Sequence, residues 1–198
     1  ACGNAARCIG RLMMDEKNNT QVQIEAMDRV LLATRSNELI SVNMGQAAID
    51  WRDIPLSQKM DTISLEINEG ILENPVAVNV GNPHIIFFVK DCFEHDLKVV
   101  GPKIENDNLF PEKINVSFAQ VIDKSNIKVN VWERGAGLTK ACGTAACATV
   151  VASYEKKLTE NNVNIKFKEG ILNIKLDTEQ NIFMTGTVSD IKNIKIEI

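Results

Sequence analysis

No stretch of this 198-residue chain stays apolar for the roughly 18 to 20 residues that a membrane-spanning helix needs. Its start also lacks the charged-then-apolar order of a secretion signal. Basic residues are outnumbered, 22 Lys and Arg against 26 Asp and Glu, for a formal net charge of -4. No overall basic field is therefore available to draw in nucleic acid or an anionic membrane. The expected partner is a small molecule and the expected location is the cytoplasm. There are only two histidines, His84 and His95, and the five cysteines (Cys2, Cys8, Cys92, Cys142, Cys147) form no C-x-x-C pair. An odd, sparse set of this kind disfavours a secreted disulfide framework and a structural zinc site, so the cysteines are read as thiols and no metal is expected. No Pro/Ser/Gly-rich linker divides the chain.

What the chain does contain is ordinary for a folded protein: 44% hydrophobic and 24% charged residues, in a length that suits one large domain or two small ones. Residues 4–14 favour helix, with Asn4 suited to capping it and Gly10 weakening it slightly. Alternating or β-branched runs at 21–25, 30–34 and 39–42, separated by turn-like residues, read as an antiparallel meander. Further strands are expected at 62–67, 76–80, 85–89, 114–122 and 127–132, with a short helix within 101–111. Gly81-Asn82-Pro83-His84 then falls on a loop between strands, and Glu133-Arg134-Gly135-Ala136-Gly137 on a flexible loop after one. Residues 144–157 read as a helix capped by Thr144, with lysines in its last turn. Strands at 163–168, 171–176, 182–185 and 191–198 close the chain.

One local phrase occurs twice, as Ala1-Cys2-Gly3-Asn4-Ala5-Ala6-Arg7-Cys8 and as Ala141-Cys142-Gly143-Thr144-Ala145-Ala146-Cys147-Ala148. Each copy is cysteine, glycine, a small polar residue and two alanines leading into a helix, and each is flanked by strands. The simplest architecture is two related α+β units, each wrapping short strands around one helix. A thiol just before a helix start meets unpaired backbone N–H groups and the positive end of the dipole, which favour thiolate. Gly3 and Gly143 let backbone approach a ligand closely, and the N–H groups after them suit a carboxylate.

Two such helices facing each other would supply one base on each face of an α-carbon. That is what removal and return of a weakly acidic α-proton demand when no cofactor acts as electron sink. No lysine-centred phosphate site stands out, and no cofactor is expected. Taken singly, each element has a blander reading. A lone cysteine at a helix start is more often a core thiol, the turn at 81–84 is only a polar tip, and Glu133-Arg134 is a solvated ion pair. Cys8 and Cys147, inside the helices, keep the structural reading, Cys92 carries no pattern, and His95 reads as a surface histidine.

In their order along the chain, A-C-G-N-A-A-R-C, G-N-P-H, F-P-E-K-I-N-V-S-F, W-E-R-G-A-G-L-T, A-C-G-T-A-A-C-A and F-M-T-G resemble the diaminopimelate epimerase family. The resemblance implies an α+β fold of two similar domains, each a curled, barrel-like mixed sheet around a central helix, with the site in the cleft between them. It places residues 1–44 with 188–198 in the first domain and 45–187 in the second. It implies that Cys2 and Cys142 are the acid and base, with His84 and Glu133 supporting catalysis. Gly3, Asn4, Asn82, Asn115, Glu133, Arg134, Gly143 and Thr144 match substrate contacts, Arg134 suiting a carboxylate clamp and Glu133 an ammonium partner. The implied reaction converts LL- to meso-diaminopimelate, for lysine and peptidoglycan synthesis. Assembly stays open, a homodimer being one option. The family also carries a segment before the first cysteine phrase, expected upstream of Ala1. The alternatives are a proline racemase-like enzyme sharing the two-thiol chemistry, a non-catalytic amino-acid-binding member of the fold, and a thiol redox protein.

Overall fold

The computed structural model describes residues 3–26, 29–67 and 72–190. The chain starts with α1 (Gly3–Lys17), which buries Ala6, Arg7, Gly10 and Met14, a stripe at helical spacing. Its end is a Schellman motif. Asn18 adopts a left-handed φ of 50°, and the N–H groups of Asn18 and Asn19 return to the carbonyls of Asp15 and Met14. Gly10 does more than weaken a helix: a β-carbon there would lie 2.8 Å from Ala33 Cβ, so its bareness lets α1 sit down on the sheet.

That sheet begins with β1 (Gln21–Glu25), β2 (Val30–Ser36) and β3 (Leu39–Gln46), the antiparallel meander expected from the alternation. It continues in β4 (Val76–Asn79), β5 (Pro83–Phe88), β6 (Asn115–Asp123), β7 (Asn126–Glu133) and the short β8 (Gly137–Thr139), which turns back on β7. It ends in β9 (Asn162–Phe167), β10 (Gly170–Leu176) and β11 (Asn181–Thr187). The strands form one mixed sheet in the open order β1-β2-β3-β11-β10-β9-β7-β6-β5-β4. β11 pairs with β3 and so ties the first meander to the rest. The two parallel pairs, β5 with β6 and β7 with β9, are each bridged by a helix-containing crossover, through α2 (Leu97–Glu105) and α3 (Gly143–Glu155).

Two apolar clusters flank the sheet. The larger joins α1, α3 and one face of β1–β3 and β9–β11; α3 is buried on all sides from Gly143 to Ser153, its alanines allowing close approach. The smaller lies under α2 and the 49–65 segment, where Phe87 and Phe118 meet edge to face at 6.0 Å, worth about 0.5–1.5 kcal/mol beyond their buried area. Ile86 points into the first cluster, Ile85 and Phe87 into the second, so β5 is buried on both faces like other strands in parallel pairs.

Several expectations are corrected. Residues 62–67 alternate but form no strand. Thr62 Oγ1 donates to Ile49 O, Ile63 N to Asp61 Oδ1 and Leu65 N to Pro75 O, so loop carbonyls and one neighbouring side chain hold the segment in place of a regular ladder. The helix sought within 101–111 starts earlier, at Leu97, because the Asp96 side chain accepts from Lys98 N and caps it. His84 belongs to strand β5 rather than to the preceding loop. The N-cap of α3 is Cys142 and not Thr144, and Lys156 is its C-cap, beyond the last turn. β8 was not expected; the loop after Trp132 folds into a hairpin. The strand expected at 191–198 lies outside the described residues.

Candidate active site

Cys142 caps α3 in an extended conformation (φ -139°, ψ 121°) and is 7% exposed. Its side chain makes no cap bond; Sγ lies 3.3 Å from Thr144 Oγ1. The first intrahelical bond of α3 runs from Ala146 N to Cys142 O, so the N–H groups before it have no carbonyl partner within the helix. α1 begins in the same place. A β-carbon on Gly143 would sit 3.7 Å from Gly3 Cα and 3.0 Å from Met184 Sδ, and one on Gly3 would collide with the Met184 side chain. Two helix starts therefore abut, wedged by Met184 from β11, and a side chain at either position would have to displace the Met184 side chain.

A cavity of about 340 Å³ opens there, lined by Gly3, Asn4, Asn82, Glu133, Ala141, Cys142, Gly143 and Thr144. All but Ala141 were singled out from the sequence as candidates; Gly3 and Asn4 come from the first copy of the repeated phrase, Cys142, Gly143 and Thr144 from the second, and Asn82 and Glu133 from between them. Cys2 lies outside the described residues.

The polar groups of the wall are held from behind. Arg7, buried in α1, donates from a guanidinium N–H to Asn4 Oδ1 (2.9 Å). His84 is fully buried, with Nε2 3.1 Å from Asn82 Oδ1. Burial, and after it the charge of Arg134, push the His84 pKa down to about 3, so the ring is neutral and Nε2–H is the donor. In both asparagines the side-chain oxygen is bound by a buried neighbour. Glu133, at the end of β7, accepts from Thr139 Oγ1 at 2.5 Å.

Two other sequence candidates are engaged elsewhere. Asn115 is a buried bracket: its Nδ2 donates to Pro83 O (2.7 Å) and its Oδ1 accepts from Arg134 N (2.9 Å). Arg134 turns its guanidinium to Glu112 O (2.8 Å), so neither it nor Glu133 is the solvated ion pair of the bland reading. Arg7, Thr139 and Met184 were missed, although Arg7 stands inside the quoted A-C-G-N-A-A-R-C and Met184 inside F-M-T-G. Cys8 is exposed, against its reading as a structural residue; Cys92 and Cys147 are buried. His95 is half-buried, its ring edge-on to Phe118.

The expected thiolate at Cys142 is corrected. Burial pushes its pKa up to about 11; the Thr144 hydroxyl and Ala145 N–H pull it down without compensating, and the charge and hydrogen bonding of Glu133 raise it further. The helix start supplies donors, but desolvation wins, and the group is a thiol. Among the described residues no three His, Cys, Asp or Glu side chains converge in a metal-binding cluster, and no helix is long and apolar enough to cross a membrane.

Solved structures with this architecture include a phenazine biosynthesis protein of the PhzF family from Bacillus anthracis (TM-score 0.66, 16% identity, covering 100% of this chain and 76% of that one). A hydroxyproline epimerase from Agrobacterium vitis shares it too (TM-score 0.56, 11% identity, 92% and 62%). At such identities the likeness defines the fold alone, an α+β fold built on a mixed sheet. The family model described as diaminopimelate epimerase matches residues 76–191. Over 204 residues the chain is 48% identical to the diaminopimelate epimerase of Pelagibacter ubique (strain HTCC1062), covering 100% of this chain and 74% of that protein. It is 45% identical over 190 residues to that of Wolbachia sp. subsp. Drosophila simulans (strain wRi), covering 94% and 72%. The chain belongs to the diaminopimelate epimerase family, and with it to the isomerases, as an amino-acid epimerase.

Proposed function

We propose that the protein converts LL- to meso-diaminopimelate, and back, by a two-base reaction that needs no cofactor. The observation that carries this reading is the meeting of two helix starts at one cavity, with Cys142, Gly143 and Thr144 on one side and Gly3 and Asn4 on the other. The substrate carboxylate at the reacting end would accept the unpaired N–H groups of both helices, which stabilise the charge that develops when the α-proton leaves. One cysteine, as thiolate, takes that proton: the Cα–H bond breaks and an S–H bond forms. The other, as thiol, gives its proton to the opposite face and becomes thiolate. Cys2 and Cys142 are the pair, and their roles exchange in the reverse direction. The raised pKa of Cys142 makes it the thiol with which the forward reaction starts; having given its proton, it is the thiolate base of the reverse direction.

Asn4 and Asn82, their side-chain oxygens held, would bind carboxylate oxygens of the substrate through their amide N–H groups. His84 would support catalysis by fixing Asn82, and Asn115 and Arg134 would shape the loop bearing Glu133 and meet the substrate's distal charged end after rearrangement. We also read the chain as two epimerase-like units, 1–44 with 188–198 and 45–187, since α1 and α3 bring one copy of the phrase each. The reading places the enzyme in the cytoplasm, in lysine and peptidoglycan synthesis.

The test is α-proton exchange in heavy water with LL-diaminopimelate, and with proline as a second substrate. Deuterium should enter diaminopimelate with inversion and should not enter proline. Cys142→Ala should abolish the inversion and leave ligand affinity mostly intact. A wild-type protein that binds but exchanges nothing, or a Cys142→Ala variant that still inverts, would overturn the proposal.

A further inference from the structure

Resting on the epimerase reading, we infer that Glu105 is a positioning residue for the Glu133-Arg134 arc of the active site. Glu105 is the last residue of α2, where the helix dipole disfavours an anion, and it is only 5% exposed. A carboxylate placed so needs compensating donors. It has two. Oε2 accepts from Trp132 Nε1 at 2.6 Å and Oε1 accepts from Gly135 N at 2.9 Å.

These donors sit immediately before and immediately after Glu133 and Arg134. One side chain thus pins both ends of the two-residue arc whose Glu133 lines the cavity with Cys142. The arc turns into β8 at Gly135 and Gly137, whose left-handed φ values of 75° and 86° suit glycine, so the clamp grips it at the bend. The seat of the clamp is also specified. Gly101, one turn earlier on α2, rests on the indole of Trp132, where a β-carbon would come within 2.6 Å of the ring. Within the arc, Glu133 is aimed by Thr139 and Arg134 by Asn115, so a shift of the backbone would carry both away together.

Glu105→Gln keeps the size and one acceptor but points an amide N–H at one of the two donors. With deuterium entry into diaminopimelate as the assay, at a temperature where circular dichroism shows the variant fully folded, kcat/KM should fall about 10²-fold, the scale of an ångström's misplacement at a reacting centre. In a Trp132→Phe background one donor is gone, and the same Glu-to-Gln change should cost only about tenfold, because the two residues are coupled. A folded Glu105→Gln protein with wild-type kcat/KM, or a loss that is identical in both backgrounds, would overturn the inference while leaving the epimerase reading intact. A wild-type protein inert towards diaminopimelate would instead remove that reading, and the role of Glu105 with it.

Discussion

Alkylation of Cys142 measures directly whether desolvation outweighs the helix start. A thiol with a pKa near 11 in place of its ordinary 9.0 is ionised, at pH 8, in roughly one molecule in a thousand instead of one in ten. Its reaction with iodoacetamide should therefore be about a hundredfold slower than that of an ordinary thiol, for which a free cysteine-containing peptide is the reference. Poor access would also slow the reaction, so the pH profile decides. Under a raised pKa the rate climbs about tenfold per pH unit up to pH 10, whereas an access effect alone leaves an inflection near 9. The neighbours supply a second check with opposite signs. Thr144→Val removes a hydrogen bond to the thiolate, worth about 1.5–3 kcal/mol, or roughly one to two pK units, and should slow alkylation a further ten- to hundredfold. Glu133→Gln removes an adjacent negative charge and should speed it. Peptide mapping by mass spectrometry reads each cysteine separately. A profile for Cys142 that levels off by pH 9, or faster alkylation in Thr144→Val, would refute the reasoning.

His84 is neutral in the fold, with its pKa depressed to about 3 from 6.5, so the unfolded chain binds the extra proton as pH falls between those values. Stability should then be full above pH 6.5 and decline by up to about 1.4 kcal/mol per unit below it. Urea melts of the wild type and His84→Gln should differ by that slope, and parallel curves would count against it. Asn115→Ala strands a buried carbonyl and a part-buried N–H at once and should cost about 2–4 kcal/mol in the same measurement; a loss under 1 kcal/mol, on the order of one exposed bond, would mean the bracket is dispensable. Gly10→Ala, which in a free helix would stabilise by about 1 kcal/mol, should instead destabilise by about 1–3 kcal/mol through contact with Ala33, with kcat/KM unchanged at temperatures where the protein is folded.

The repeated Cys-Gly-polar-Ala-Ala phrase, the first meander and the body of α3 were legible because each rests on short-range rules: self-similarity, period-2 alternation and helix propensity. Those rules fail where a local signal competes with a distant partner. Residues 62–67 alternate like a strand, yet the carbonyls of Ile49 and Pro75 claim their donors. Asp96 sets the start of α2 upstream of where the polar stretch drew attention.

Sequence alone thus determined which residues make up the two copies of the phrase and the motifs between them, and in what order they occur. Tertiary structure decided that Gly3 and Gly143 lie side by side, through the pairing of β11 with β3 and the wedge of Met184, contacts between residues that no local pattern links. It decided the ionisation of Cys142 as well. A helix start is written in a few neighbouring residues, but the water that a thiol loses depends on everything packed around it.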